Sequence, residues 1–233
     1  MFFFDIRYLI FMAPAFLLMF IVQGYVKSAY SKWSKVPARS RITGAQAAQR
    51  LIQNGGLYGV RVEGVQGQLT DNYDPRSKVL HLSQGVYNGT SVAALAVAAH
   101  ELGHAMQDKD DYFPLRLRAA IVPAVNIGSY LGWILLLIGI MLNYAGLAWL
   151  GVAVFSGGAL FALATLPVEL NASARAKKLL SDTGLIVGED ERRGVNKVLN
   201  AAALTYVAAL VTAVMQLLYF VTLVMGMGGR RRR

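Results

Sequence analysis

The most constraining feature of the sequence is a run of fifty residues, 119–168, that contains no Asp, Glu, Lys or Arg. As one helix rising about 1.5 Å per residue, the run would be about 75 Å long, whereas one bilayer crossing needs about 20 residues. The run must therefore turn back, and Asn143-Tyr144-Ala145-Gly146 provides the residues of a turn. We predict a helical hairpin with helices at 119–142 and 146–167.

Small residues on both hairpin helices favour close packing between them. Gly128 and Gly132 lie on the first helix, and Ser156-Gly157-Gly158 lies on the second. Small side chains let membrane helices approach each other closely. We expect these positions to form the contact surface of the hairpin.

Two further apolar segments, 8–26 and 201–227, are each long enough to cross a bilayer. The first is long for the apolar part of a cleaved signal peptide, so we predict an anchor that is retained. The chain is 55% hydrophobic and only 15% charged, a composition typical of integral membrane proteins. The sequence predicts a mainly α polytopic membrane protein with about four transmembrane helices and a small α+β extramembrane domain.

The only sizeable polar region lies between the first span and the hairpin. Its patterns predict a helix at 43–56, strands at 59–65 and 78–83, and a helix at 91–107, with a turn at NYDPRS. The predicted organisation is an anchor, an extramembrane domain, the hairpin, a helical extramembrane segment, and a last span with a basic tail, at residues 1–26, 27–118, 119–168, 169–199 and 200–233.

The charges predict orientation rather than nucleic-acid binding. The net charge is +10, but no nucleic-acid-binding motif accompanies it. Segments 27–118 and 168–199 must share one side of the membrane, and together they carry 18 of the 23 Lys and Arg residues. The positive-inside rule places them in the cytoplasm. The arginines at 230–233 disagree, because a full fourth crossing would put them outside.

The segment AAHELGHAMQ holds two of the three histidines of the chain. Residues four apart lie on one face of a helix, so His100 and His104 can reach one metal ion. Glu101 points to one side, where it could accept a proton from the attacking water. Gly103 costs the helix about 1 kcal/mol relative to Ala, which suggests that another segment lies close to it. The alternative is that this HExxH pattern, which is typical of zinc peptidases, occurs by chance on an apolar helix.

A catalytic zinc site needs a third protein ligand. The chain has no cysteine, which leaves nitrogen and oxygen ligands. Glu169 is the better candidate, because the hairpin returns position 168 to the membrane face that residue 118 left. The alternative is a glutamate paired with Arg175 or a lysine. The remaining histidine, His81, is more easily understood as an ordinary strand position.

These motifs resemble a known family. AAHELGHAMQ, followed by a two-span hairpin and LPVELNASARA, is similar to the YugP-type neutral zinc metallopeptidases of bacterial membranes, with likeness from about residue 25 to 225. More distantly, the chain resembles the HtpX-type gluzincin peptidases. The resemblance implies Zn²⁺ as cofactor, His100, His104 and Glu169 as its ligands, and Glu101 as general base.

The resemblance also directs attention to residues around the metal. Ser173 stands where gluzincins commonly carry an Asp that orients the first histidine, and its hydroxyl could accept a hydrogen bond from that ring. Arg175 and Tyr206 are candidates for stabilising the oxyanion, although a surface and a membrane-interface role, respectively, are the alternatives.

Three functional hypotheses follow. The first is a zinc endopeptidase anchored in the bacterial plasma membrane, with its active site in the cytoplasm near the bilayer. Its expected substrate is a protein or peptide that is itself associated with the membrane. The strand KVLHLS would then be the sheet edge that an extended substrate joins. The second is a site-2-type intramembrane protease, and the third is a non-catalytic membrane scaffold containing zinc. The sequence identifies neither an oligomer nor an adaptor.

Overall fold

A computed structural model describes residues 6–229. The described residues are mainly helical and include a small three-stranded sheet in the N-terminal half of the chain. The elements are α1 (Ile6–Trp33), α2 (Gly44–Asn54), β1 (Arg61–Val65), β2 (Asn72–Asp74), β3 (Val79–Ser83), α3 (Gln84–Tyr87), α4 (Val92–Lys109), α5 (Phe113–Met141), α6 (Ala145–Asp182) and α7 (Glu189–Gly229).

The chain divides into two compact units. The apolar unit comprises the described parts of Met1–Val22, Arg116–Leu166 and Thr205–Arg233, and the site unit comprises Gln23–Leu115 and Pro167–Leu204. Among the described residues, four helices are long and apolar enough to cross a membrane: α1, α5, α6 and α7. Only 11–22% of each apolar window is buried, as expected for surface that faces lipid. The predicted fold class is confirmed. The arginines at 230–233 lie outside the described residues.

The hairpin turns where the sequence predicts. α5 ends at Met141, α6 begins at Ala145, and Asn143 adopts a φ of 49° in the turn. Gly157 and Gly158 do face α5, but loosely, because an added Cβ would lie 3.9 Å from Val125 and 3.8 Å from Ser129, ordinary van der Waals distances. The tight contacts are one to two turns nearer the loop, where a Cβ on Gly151 would lie 2.8 Å from the Cα of Leu136.

The second hairpin helix is longer than predicted. We expected it to end at 167, but α6 continues through Pro167 to Asp182. A proline removes one backbone hydrogen bond, which membrane helices tolerate. The Ala- and Leu-rich segment beyond it favours helix. The carboxylate of Glu169 therefore lies within a continuous helix.

The site unit contains the sheet, whose strand order is β1-β3-β2. β1 pairs with β3 in parallel, and β2 pairs with β3 antiparallel through Asn72, Tyr73 and Asp74. The predicted turn at NYDPRS thus begins with a short strand. β3 contains the segment VLHLS and is the central strand, so the expectation that KVLHLS forms a free edge is wrong. From Val79 to His81 its backbone is paired with a strand on both sides.

α4 forms the buried centre of the site unit. The helix begins after Ser91, whose side chain accepts a hydrogen bond from the backbone N–H of Ala94 at 3.1 Å, a common N-terminal cap. Eleven of its residues are buried, and its alanines and leucines share a core with α2, β3 and the C-terminal half of α6. This packing brings α6 alongside the histidines of α4.

Candidate metal centre

α4 presents His100 and His104 on one face, as their spacing predicts. Their ring centroids lie 5.0 Å apart, with the two planes inclined by 86°. Both side chains are 14% exposed, so each ring is largely but not completely enclosed. Two imidazoles in this arrangement can bind one ion.

α6 brings the carboxylate of Glu169 to the same point. Its Oε2 lies 3.3 Å from Nε2 of His100 and 3.5 Å from Nε2 of His104. Two ligands bonded to one tetrahedral zinc at about 2.0–2.1 Å lie roughly 3.3–3.4 Å apart. The three groups offer ligand atoms that all lie within 4.8 Å of one another. Glu169 is only 2% exposed, and two imidazoles and a carboxylate are a donor set suited to zinc.

Gly103 allows this close approach, as the sequence suggests. A Cβ at this position would lie 3.0 Å from the Cα of Ala172 and still closer to its carbonyl oxygen. Carbon atoms normally approach no closer than about 3.5–4.0 Å. Because Ala172 is three residues after Glu169, it lies on the same face of α6. The glycine therefore permits the helix contact that holds the carboxylate beside the histidines.

The far nitrogens of both rings have polar partners. Nδ1 of His100 lies 3.2 Å from Oγ of Ser173, and Nδ1 of His104 lies 3.0 Å from Oε1 of Gln107. These contacts turn both Nε2 atoms towards Glu169. The contact of Ser173 is the one that the sequence predicts; its role in metal binding stays a prediction.

Burial and neighbouring charges shift the pKa values of two side chains on α4, Glu101 and His104. Burial raises the pKa of Glu101, although the charges of His100 and His104 act in the opposite direction. For His104, burial lowers the pKa, but the hydrogen bond to Glu169 and the charge of Glu101 raise it, and the net shift is upward. The carboxyl group of Glu101 thus holds a proton more readily than an exposed glutamate does.

The other predicted residues have different surroundings. The Arg175 guanidinium pairs with Asp110, and its Nε donates to Oδ1 of Asn171 at 2.8 Å. His81 on β3 contacts Oδ1 of Asn72 at 2.7 Å and is not among the three residues of the metal cluster. Tyr206 belongs to the apolar unit, and its proposed role stays a prediction.

The sequence analysis missed Gln107. Its side chain is completely buried and contacts His104 on the same helix. The signal was available: a glutamine three residues after a candidate ligand, on a helix otherwise rich in alanine, is a polar group that must find partners when it is buried. Which partners it finds on α6 could not be read from the sequence.

Known proteins are similar to this chain over most of its length. Residues 8–225 match the family described as "Putative neutral zinc metallopeptidase". A curated relative, "Putative membrane protease YugP" of Bacillus subtilis (strain 168), is 49% identical over 204 residues, which covers 88% of this chain and 90% of the relative. No solved structure matches.

Proposed function

The chain belongs to the family described as "Putative neutral zinc metallopeptidase", and from that premise we propose that it is a zinc-dependent, membrane-bound endopeptidase. The observation that carries the proposal is the cluster of His100, His104 and Glu169. Nε2 of each imidazole lies within 3.5 Å of one carboxylate oxygen. His100 and His104 lie on α4, and Glu169 lies on α6, far away in the sequence. A chance occurrence of HExxH on α4 would give no reason for a carboxylate from another helix to lie beside both rings.

His100, His104 and Glu169 would hold the ion. Bound there, zinc supplies Lewis-acid polarisation of the scissile carbonyl and lowers the pKa of water. With three ligands supplied by the protein, the ion would remain accessible to substrate or water. The 14% exposure of each histidine side chain fits a site that small groups can enter.

Glu101 would act as the general base and then as the general acid. Its carboxylate takes up a proton from the attacking water and delivers it to the nitrogen of the leaving amine. Burial raises its pKa, which favours the protonated form that the second step needs. One carboxyl group that accepts the proton and then releases it can perform both transfers.

The site would face the cytoplasm of a bacterium, close to the plasma membrane. Support comes from the lysines and arginines of segments 27–118 and 168–199, and from the position of Glu169 directly after an apolar span. The substrate would be a protein or peptide, and we favour membrane proteins or their juxtamembrane tails. Cysteines introduced at 40 and 144 test the topology: a membrane-impermeant thiol reagent should label 144, but not 40, in intact cells.

Metal analysis of the purified protein tests the metal site. We expect one equivalent of zinc in the wild type and less in His100→Ala, His104→Ala and Glu169→Ala. His81→Ala is the matched control, because it removes a histidine outside the cluster and should leave the zinc content unchanged. Full zinc in Glu169→Ala would remove the third ligand from the proposal.

Glu101→Gln separates an enzyme from a scaffold. The variant should retain zinc and lose peptide hydrolysis, because the amide cannot take up a proton. A chelator should inhibit the wild type, and added zinc should restore activity. A scaffold would show no zinc-dependent hydrolysis in the wild type, and Glu101→Gln would then change nothing.

A further inference from the structure

Gln107 is a completely buried polar side chain with three hydrogen-bonding contacts. Its Oε1 lies 3.0 Å from Nδ1 of His104. Its Nε2 donates to the carbonyl oxygen of Val168 at 2.7 Å and to Oδ1 of Asn171 at 3.0 Å. One amide therefore joins a candidate ligand on α4 to the backbone of α6.

The backbone of α6 determines which way the amide points. A carbonyl oxygen can only accept hydrogen bonds, so the group facing Val168 must be the NH₂ of Gln107. The amide oxygen must then face His104, and because that oxygen only accepts, Nδ1 of the ring must carry the hydrogen. This assignment follows from the hydrogen-bond network. A neutral imidazole with hydrogen on Nδ1 has its lone pair on Nε2, the atom that faces Glu169.

The hydrogen bond from Gln107 to Val168 also holds the backbone next to Glu169, the candidate third ligand. Val168 directly precedes Glu169 in α6, so the bond from Gln107 holds the backbone beside the carboxylate. Asn171 strengthens the arrangement, because its Oδ1 also accepts a hydrogen bond from Nε of Arg175 at 2.8 Å, which keeps that oxygen directed into the network. The polar chain thus extends from His104 through two amides to Arg175.

We propose that Gln107 is a positioning residue that sets the zinc affinity of the site, by fixing the tautomer of His104 and the position of Glu169 together. The proposal rests on the proposed zinc site. Partners that orient metal-binding histidines typically contribute 10–100-fold to metal affinity. Gln107 acts on two ligands, so its removal should weaken both.

Zinc competition against a chelator tests the proposal. Gln107→Met has similar length and lacks the amide, and we expect it to bind zinc about 10–100-fold more weakly than the wild type. Gln84→Met is the matched control, because Gln84 is exposed and bonds to Asn88; its zinc affinity should not change. Equal affinity in Gln107→Met and the wild type would overturn the inference while leaving the zinc site intact. Absence of zinc from the wild type would refute the proposed function itself.

A second measurement is made on the wild type, so its main result does not depend on whether Gln107→Met folds. The chain has three histidines, so nitrogen NMR of ¹⁵N-histidine-labelled, zinc-loaded wild type gives few signals, which His81→Ala helps to assign. We expect His104 to show hydrogen on Nδ1 and metal on Nε2. Metal on Nδ1 of His104 would contradict the inference. In Gln107→Met, the Nδ1 hydrogen should exchange faster with solvent, a change that a purely structural role does not predict.

Discussion

The contact between Gly103 and Ala172 makes a sharp prediction for Gly103→Ala. The added methyl carbon would lie 3.0 Å from the Cα of Ala172, whereas carbon atoms pack at about 3.5–4.0 Å. The two helices must therefore separate locally by about 0.5–1 Å to accept it. Glu169 is three residues from Ala172 on α6, so its carboxylate moves with the contact.

That displacement is large compared with the tolerance of a metal–ligand bond, but it should change the free energy of unfolding only slightly. A zinc–oxygen bond of about 2.0–2.2 Å would lengthen to roughly 2.5–3.2 Å, beyond the tolerance of a ligand. The free energy of unfolding changes by two opposed contributions. Overpacking destabilises the fold by about 1–3 kcal/mol. Replacing glycine by alanine within a helix stabilises it by about 1 kcal/mol. We expect a net destabilisation of about 0–2 kcal/mol together with at least a tenfold loss of zinc affinity.

Two assays on the same preparation separate these effects. Denaturant unfolding of the metal-free protein in detergent gives the stability, and chelator competition gives the zinc affinity. Gly24→Ala is the control, because a Cβ there meets nothing within 4 Å, and it should leave zinc binding unchanged. If Gly103→Ala bound zinc as tightly as the wild type, the helix contact would not position the carboxylate and the reasoning would be refuted.

Three further predictions concern other contacts. Glu191 is buried and accepts hydrogen bonds from three backbone N–H groups, so Glu191→Ala should lower the unfolding free energy by about 1–3 kcal/mol. Glu189 is exposed, so Glu189→Ala should leave the unfolding free energy unchanged. Equal effects of the two substitutions would contradict this prediction. Ser173→Ala removes the hydroxyl beside Nδ1 of His100 and should weaken zinc binding by up to about tenfold, as chelator competition would show; unchanged affinity would exclude an orienting role. Gly151→Val overpacks the hairpin and should cost about 1–3 kcal/mol in thermal unfolding, whereas a stability like that of the wild type would show that the helices separate freely.

The sheet shows where sequence patterns fail. Alternation of side chains identifies the strand 78–83, and β3 lies there. The same alternation gives no information about neighbours, and β3 turned out to be central because the short strand at Asn72–Asp74 pairs with it. Three residues are too few to show a period, so the segment reads as a turn. The order of strands depends on contacts that no local pattern records.

The sequence by itself determined the four spans and the histidine pair. Both follow from local rules, since a bilayer excludes charge over a fixed length of helix and residues four apart share a helix face. Only the tertiary structure decided that Glu169 comes within 3.3 Å of His100, and that the amide of Gln107 reaches the backbone beside it. These contacts join residues more than sixty positions apart. Their distances are set by how closely α4 and α6 pack, which depends on the side chains of both helices at once.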